Sequence, residues 1–378
     1  MPNHESDRPM KFRHAPLDVA RTIALFGIIV LNYHGYLNFH SANVPTSPSV
    51  FERWWHPFEG VLANPFPVGF VMVAGIGVAI LVAEANGDAR KLREVRWRLA
   101  RRGIFLFTLG YIIEWIWPGT ILPYFGALFV IAGLIANWSR PRLIALAIVA
   151  SLVAAGISWW RLEQSFRGNL TVWLSPSAPD SPRNLLIRLF VDYTHPIFPW
   201  LSFFVFGVLL GRSYDRISAF ATKLLASCIG LVGFSYALNS IVASQTDGDA
   251  RNGLADALRW RRLASTQPFD RGLLYVGAAL GVVGAAFVIV WHFCEKFENS
   301  LVVRLAQTTG QMTLTVYLAH IFVYNLIVNQ LGLVKPSGLD VAMIMSIAVY
   351  LAAIVWANWW QPKYGRGPAE RLYRNFGG

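Results

Sequence analysis

Long apolar stretches alternate with short polar ones along most of the chain. Windows without Asp, Glu, Lys or Arg recur, and they reach the length of about 20 residues that an α-helix needs to cross a bilayer. We therefore predict an all-α polytopic membrane protein, built as a single bundle of about ten transmembrane helices. The predicted spans are 17–36, 62–84, 100–117, 120–138, 142–160, 189–211, 218–242, 272–294, 308–331 and 340–360.

Lys and Arg are concentrated in the polar segments on one side of these spans. They are dense between Arg90 and Arg102 and again from Lys363 to Arg374. Because cytoplasmic segments carry the excess of positive charge, both termini are predicted to be cytoplasmic. This places a cytoplasmic N-terminus at 1–16, a transmembrane domain at 17–360 with external loops at about 37–61, 161–188 and 243–271, and a basic cytoplasmic tail at 361–378.

The composition excludes an ordinary water-soluble domain, because 55% of the 378 residues are hydrophobic and only 14% are charged. The net charge of +12 is explained by topology and by anionic lipid headgroups, so it does not indicate nucleic-acid binding. The polar N-terminus enters the first span without a small-residue cleavage site, which predicts an uncleaved start. Two cysteines support neither a disulfide framework nor a zinc site, so no metal is expected. Homo-oligomerisation stays open.

The first predicted span carries polar groups at both ends. Asp18 and Arg21 stand at its entrance, and Asn32 and His34 stand at its exit. On an α-helix Arg21 and Asn32 lie about 16 Å apart and on nearly the same face. Charged groups inside a span are costly and usually mark a functional site, although interfacial anchoring also explains Asp18 and Arg21.

Three histidines and one acid are predicted to lie at the outer face after this span. They are His34, His40, His56 and Glu59. Histidine exchanges a proton near neutral pH, and a carboxylate such as Glu59 can orient the ring or raise its basicity. Interfacial packing is the alternative for each of these histidines.

A second external cluster opens the sixth predicted span with Asp192 and His195. If this stretch is helical, the two side chains share a face and can pair as a base with its orienting carboxylate. A Pro-rich span start anchored by Trp200 explains the same residues equally well.

The ninth predicted span carries a polar stripe of Thr313, Tyr317, His320 and Tyr324, at positions i, i+4, i+7 and i+11 of a helix. Such a stripe must face the bundle interior or a wet cavity. Its alternative is a hydrogen-bonded seam between helices. His320 lies in the middle of the span, so we predict that it positions a ligand or a partner helix.

The basic segment before the third predicted span contains Arg98, Arg101 and Arg102, at positions i, i+3 and i+4. Guanidinium groups match the geometry of phosphate oxygens, so these three side chains are a candidate phosphate clamp. Charge that only fixes the topology is the alternative.

These stretches together resemble the transmembrane acyltransferases, in particular the bacterial relatives of heparan-α-glucosaminide N-acetyltransferase, and more remotely the type 3 acyltransferases. The resemblance rests on Leu17-Asp18-x-x-Arg21 with Asn32, on His56-Pro-Phe-Glu-Gly60, on Phe198-Pro199-Trp200 with Gly211-Arg212, and on Gly310-x-x-Thr313-x-x-x-Tyr317-Leu318-x-His320. In addition, the tail segment Gly367-Pro368-Ala369-Glu370 resembles that of a related multipass bacterial family of poorly defined activity.

The resemblance implies a transferase of the bacterial cytoplasmic membrane that moves an acetyl or other short acyl group. The donor would be cytoplasmic acyl-CoA, and the acceptor an extracytoplasmic hydroxyl or amine of a sugar or glycan. Arg21 would hold a CoA phosphate, and Tyr317 and His320 would line the cofactor tunnel. In this reading Glu59, Asp192 and His195 lie on the acceptor side.

The resemblance also orders the candidates for proton transfer. Type 3 acyltransferases carry an essential histidine eleven residues after the helix-one arginine, and here that position is Asn32. Asn32 would then donate a hydrogen bond to the thioester carbonyl or the developing oxyanion. His56 is the predicted base, and His34 and His40 remain candidates.

A different class of function uses the same polar stripe and basic residues. A transporter or flippase would pass an anionic metabolite or lipid without chemistry, and broken helices with paired half-spans would favour it. The sequence shows no convincing pair of such half-spans. A catalytically silent scaffold is the third alternative.

Overall fold

The computed structural model describes residues 15–39, 49–85 and 87–378, and these residues fold into helices without a β-strand. The first half of the chain forms α1 (Ala15–Phe39), α2 (Val50–Trp54), α3 (Pro65–Ala83), α4 (Ala89–Ile113), α5 (Leu122–Ile135), α6 (Arg140–Phe166), α7 (Pro182–Phe190) and α8 (Ile197–Gly211). The second half forms α9 (Ile217–Gln245), α10 (Asp247–Arg251), α11 (Ala255–Leu263), α12 (Leu273–Lys296), α13 (Leu301–Gly310), α14 (Thr313–Tyr324), α15 (Leu339–Tyr364) and α16 (Pro368–Gly377). A π-helical segment, Asn325–Gln330, extends α14.

Several of these helices are long and apolar enough to cross a bilayer. Within the described ranges six helices meet that condition, namely α1, α3, α6, α9, α12 and α15. A seventh candidate is the pair α13 and α14, which is bent by 77° between its two halves. The prediction of an all-α multi-pass membrane protein is therefore confirmed. The count of ten spans and the cytoplasmic position of both termini stay predictions.

Three of the predicted spans differ clearly from the observed helices. The third, 100–117, is the C-terminal part of α4, which begins at Ala89 and ends at Ile113. The sixth, 189–211, becomes α8 and begins only at Ile197, because Pro196 disfavours helical geometry in the residue before it. The ninth, 308–331, is broken between Gly310 and Thr313 rather than continuous. The segments predicted as external loops also contain the short helices α2, α7, α10 and α11.

The chain divides into two compact units. Unit 1 comprises Met1–Phe70 and Ala285–Leu372, and unit 2 comprises Val71–Gly284 and Tyr373–Gly378. In unit 1, α1 packs against α13, α14 and α15. Part of its core is a buried apolar cluster made of Ala15, Val19, Cys294 and Val303.

Unit 2 is built around two helix pairs, α4 with α5 and α6 with α8. Arg96 of α4 closes the end of α5, donating from Nε to the Gly133 carbonyl at 2.9 Å and from Nη2 to the Leu134 carbonyl at 3.2 Å. The last carbonyls of a helix have no partner within the helix, and lipid cannot supply one. A side chain from the neighbouring helix therefore satisfies them.

Within unit 2, α3 and α8 approach closely at two glycines. A Cβ atom added to Gly75 would overlap the carbonyl oxygen of Phe204 and lie 3.0 Å from the Val208 nitrogen. A Cβ added to Gly207 would likewise meet the backbone of Met72. Small residues at a crossing let membrane helices approach and form many van der Waals contacts.

We expect Gly75→Ala to destabilise the protein by about 1–3 kcal/mol, because the added methyl group overpacks this crossing. The matched control is Gly230→Ala in α9, where an added Cβ meets no atom within 4 Å. That control should be neutral or stabilising by up to ~1 kcal/mol through helix propensity. Thermal unfolding midpoints of the purified variants in detergent measure both. Equal midpoints for the two variants would contradict the close crossing.

Candidate functional site

The polar residues of α1 meet those of α14 inside unit 1. Asn32 Nδ2 lies 3.1 Å from His320 Nε2. One residue further on, the Tyr33 hydroxyl donates to the backbone carbonyl of His320 at 2.9 Å. His320 is fully buried. Two candidates from sequence segments almost 300 positions apart are thus brought into direct contact.

The second ring nitrogen of His320 fixes its tautomer. Nδ1 hydrogen-bonds to the backbone carbonyl oxygen of Tyr317. A carbonyl oxygen only accepts, so Nδ1 carries the proton, and the neutral ring presents the Nε2 lone pair to Asn32. The Asn32 amide therefore donates to His320. This hydrogen bond orients the amide of Asn32 within the bundle.

The polar stripe on α14 faces the interior, as predicted. Tyr317, His320 and Tyr324 are buried, and Thr313 is half-buried. The ring of Tyr324 packs against that of Tyr33, with the centroids 5.3 Å apart. The stripe thus forms an aromatic, hydrogen-bonded contact with the C-terminal half of α1.

A second set of polar residues lies around the break between α13 and α14. Arg21 Nη1 donates to Asp18 Oδ1 at 2.8 Å, and Gln311 Nε2 donates to Asp18 Oδ2 at 3.1 Å. Gln361 of α15 donates in turn to Gln311 at 2.6 Å. The Asp18 side chain is 7% exposed, whereas that of Arg21 is 28% exposed. Of this pair, the guanidinium is therefore the group that a ligand can reach.

Glu370 of the tail caps the first turn of α14. Its carboxylate accepts the backbone N–H groups of Leu314 at 2.7 Å and Thr315 at 3.1 Å, together with the Thr315 hydroxyl at 2.5 Å. The first N–H groups of a helix lack partners and favour negative charge. Sequence reasoning did not place Glu370 in the site, although the Gly-Pro-x-Glu resemblance was a signal for it.

The side chain of His34 extends from α1 to the loop that contains His56. Its Nδ1 lies 3.1 Å from the Trp55 carbonyl oxygen. Because a carbonyl oxygen only accepts hydrogen bonds, Nδ1 carries the proton and Nε2 holds the lone pair. No described residue hydrogen-bonds to that Nε2. Because α1 stays helical to Phe39, His34 does not share the face of Asn32.

His56 has the opposite tautomer. Its Nδ1 accepts the backbone N–H groups of Glu59 at 3.1 Å and Phe58 at 3.4 Å, so the neutral ring carries its proton on Nε2. In this conformation Nε2 of His56 can donate a hydrogen bond and cannot accept a proton. The Glu59 backbone orients the ring, and its exposed carboxylate makes no hydrogen bond within the described residues. His40 lies outside the described residues.

The segment between α7 and α8 in unit 2 is not helical, so the predicted Asp192–His195 pairing is wrong. Asp192 instead contacts Arg271 at 2.6 Å, Arg161 and Ser175. Burial raises the pKa of the Asp192 carboxyl, but Arg271, Ser175 and Arg161 outweigh burial and hold it below its usual value. Asp192 is therefore a charged anchor for this segment.

His195 packs against Trp200, with ring centroids 4.7 Å apart in an edge-on arrangement. Its Nδ1 is buried and has no hydrogen-bond partner among the described residues. Burial lowers the pKa of His195 to about 3, so the ring is neutral at physiological pH. This geometry fits the alternative of a Trp-anchored span start.

A buried ion pair between Glu114 and Arg188 in unit 2 was missed by sequence reasoning. Arg188 also donates to the Ser177 carbonyl at 2.7 Å, and its guanidinium lies 3.5 Å from the centre of the Tyr193 ring. A buried charge is retained only with such partners. The pair therefore fixes α7 to the end of α4.

Two of the three arginines of the predicted phosphate clamp hydrogen-bond to backbone oxygens within unit 2. Arg101 Nη2 donates to the Gly377 backbone oxygen at 3.2 Å, and Arg102 Nη2 donates to that of Gly378 at 3.3 Å. The third member, Arg98, lies one turn earlier on α4. No group of three His, Cys, Asp or Glu side chains within the described ranges is arranged to hold a metal ion.

Two protein families match the chain. The family described as heparan-alpha-glucosaminide N-acetyltransferase, catalytic, matches residues 13–237. The family described as protein of unknown function (DUF418) matches residues 252–377. No curated protein matches.

Together with the apolar helices, the first match defines the chain as a multi-pass protein of a membrane acetyltransferase family. Because that match covers more than half of the residues, the chain belongs to the heparan-alpha-glucosaminide N-acetyltransferase catalytic family. The predicted resemblance to this family is confirmed, and the remote link to type 3 acyltransferases stays a prediction.

We expect Glu370→Gln to destabilise the protein by about 1–3 kcal/mol, because it weakens hydrogen bonds to a charged acceptor at the start of α14. The matched control is Glu298→Gln, at an exposed position after α12. Thermal unfolding midpoints in detergent measure the difference. A Glu370→Gln midpoint equal to that of the control would show that the cap contributes no stability.

Proposed function

We propose that the protein transfers an acetyl or other short acyl group from cytoplasmic acyl-CoA to an extracytoplasmic hydroxyl or amine of a sugar or glycan, in the bacterial cytoplasmic membrane. The observation that carries the proposal is the Asn32–His320 hydrogen bond, inside a member of an acetyltransferase family. An amide held in this way suits a thioester carbonyl, whose oxygen gains negative charge during transfer.

The proposal gives each of several residues of unit 1 a role that its position supports. The partly exposed Arg21 guanidinium binds a phosphate of CoA, near the helix break. Asn32 lies about 16 Å from Arg21 on the same face of α1, where it would donate a hydrogen bond to the thioester carbonyl of acyl-CoA. Tyr317 and His320 line the path of the acyl group. The hydroxyl or amine of the acceptor approaches from the end of α1 opposite to Arg21.

We assign the proton transfer to His34 with His56 beside it. His34 presents the Nε2 lone pair that a general base needs, while its Nδ1 proton is fixed on the Trp55 carbonyl. His56, predicted as the base from the sequence, is set in the observed tautomer to donate from Nε2. It then serves as the hydrogen-bond donor to the acceptor or to the departing group.

The 77° break between α13 and α14 favours a second candidate function, transport of an anionic metabolite or lipid. Broken helices in transporters expose helix ends to a substrate. Here the N-terminus of α14 is occupied by Glu370, and Asp18 and Gln311 fill the break. We therefore favour the transferase.

We expect the purified protein to release CoA from acetyl-CoA in the presence of glucosamine, with formation of acetylated glucosamine. His34→Ala should lower the rate about 10²–10⁴-fold, the range typical of a lost general base. Asn32→Ala should lower it about 10²–10³-fold, as expected for a lost oxyanion donor. Chromatography of free CoA and of the acetylated sugar measures both.

The matched control is His292→Ala, since this exposed histidine on α12 lies outside the proposed machinery. If His34→Ala kept full activity and His56→Ala lost most of it, His56 and not His34 would be the general base. If the wild-type protein released no CoA with any amino sugar or hydroxyl acceptor, yet moved a labelled anion across vesicles, the transporter would replace the transferase.

A further inference from the structure

A partly open cavity of about 280 Å³ lies in unit 2, and no residue assigned to acyl transfer is in its lining. Its polar lining consists of Asn239, Arg261, Arg262, Ser265 and Asp270, and its apolar lining includes Leu162 and Leu258. This volume lies near the lower end of the ~300–1,000 Å³ range of small-molecule sites. A single sugar ring is an occupant of suitable size.

The cavity lies at one end of the membrane spans. Leu162 is in the last two turns of α6, Asn239 is in the last two turns of α9, and Asp270 shortly precedes α12. The remaining lining comes from α11 and the residues after it. A soluble ligand can thus enter from water without crossing lipid. The predicted topology places this end outside the cell.

The two arginines of the cavity are held in place by neighbouring groups. Arg261 donates to Asp247 at 2.9 Å and to Thr246 at 3.1 Å. The hydrogen bond from Arg261 holds the pKa of the Asp247 carboxyl below its usual value, so the carboxylate stays charged. Arg262 pairs with Asp270, which also accepts the Ser265 hydroxyl at 2.5 Å. The cavity is therefore ordered before any ligand binds.

The lining has a surplus of positive charge and neutral hydrogen-bonding groups. Arg251 and Arg261 both pair with Asp247, and Arg262 pairs with Asp270, so these ion pairs leave a surplus of one positive charge that favours a ligand with a single negative charge. Asn239 donates from Nδ2 to the Ala264 carbonyl at 2.9 Å, which leaves its carbonyl oxygen as an acceptor for a hydroxyl group. Leu162 and Leu258 offer apolar contact to the face of a ring.

We propose that this cavity binds a sugar acid, a monosaccharide-sized ring that carries hydroxyl groups and one carboxylate. The planar carboxylate pairs with the guanidinium of Arg262, whose contacts with Asp270 and Ser158 are made by Nη1, because a carboxylate and a guanidinium match in two parallel hydrogen bonds. The hydroxyl groups bind Asn239 and Ser265. The site is separate from acyl transfer, so binding here does not depend on the proposed transferase activity.

Isothermal titration of the full-length protein in detergent with glucuronate tests the proposal. Wild-type protein should bind glucuronate at least 10-fold more tightly than glucose, which lacks the carboxylate. Leu258→Trp fills the cavity without removing a polar partner and should abolish binding. The matched control is Leu254→Trp, at an exposed position before α11, which should bind as the wild type does.

Arg262→Gln should weaken glucuronate binding at least 10-fold and leave the weak glucose binding almost unchanged. Thermal unfolding midpoints of the variants separate a lost site from a misfolded protein, and comparable midpoints are required for the comparison. The proposal is overturned if Leu258→Trp, folded, binds glucuronate like the wild type. It is also overturned if inorganic phosphate binds as tightly as glucuronate, since simple charge attraction would then suffice.

Discussion

A membrane protein must satisfy its polar groups internally, because lipid offers no hydrogen bonds. The broken span of α13 and α14 is where this constraint is most severe, since two helix ends meet inside an apolar segment. Asp18, Gln311 and Gln361 form a connected set of hydrogen bonds at the break, and Glu370 supplies the acceptor for the first amides of α14. The buried polar residues of unit 1 therefore have a structural role, which is to satisfy hydrogen bonds inside the protein. The same hydrogen bonds fix the positions of the side chains to which we assign chemical roles.

The fold class was predictable because apolar windows of bilayer length are a strong and local signal. The buried face of the α14 stripe was predictable too, since it follows from helical spacing, whereas the contact of Asn32 with His320 was not, because it depends on how two helices far apart in the sequence pack. The sequence could not predict that His34 and His56 adopt opposite tautomers, because each tautomer depends on a backbone group brought near by the fold. It also could not predict that Asp192 pairs with Arg271 and not with His195, because that ion pair joins two segments that are far apart in the sequence.

The two family matches meet within one compact unit. Asn32 lies in the part that matches the acetyltransferase family, and His320 lies in the part that matches the family of unknown function. Unit 1 takes its helices from both parts. The hydrogen bond between these two residues therefore joins a segment with a described activity to a segment without one. Neither match alone contains the arrangement on which the proposed chemistry depends.

The cap on α14 has a consequence for the order in which the protein is made. The amide of Leu314 is satisfied by a carboxylate 56 positions further along the chain. During synthesis α14 leaves the ribosome before the carboxylate that caps it, and α15 is made in between. Until Glu370 is made, the amides of Leu314 and Thr315 lack this acceptor, so the first turn of α14 gains its cap only when the tail is complete.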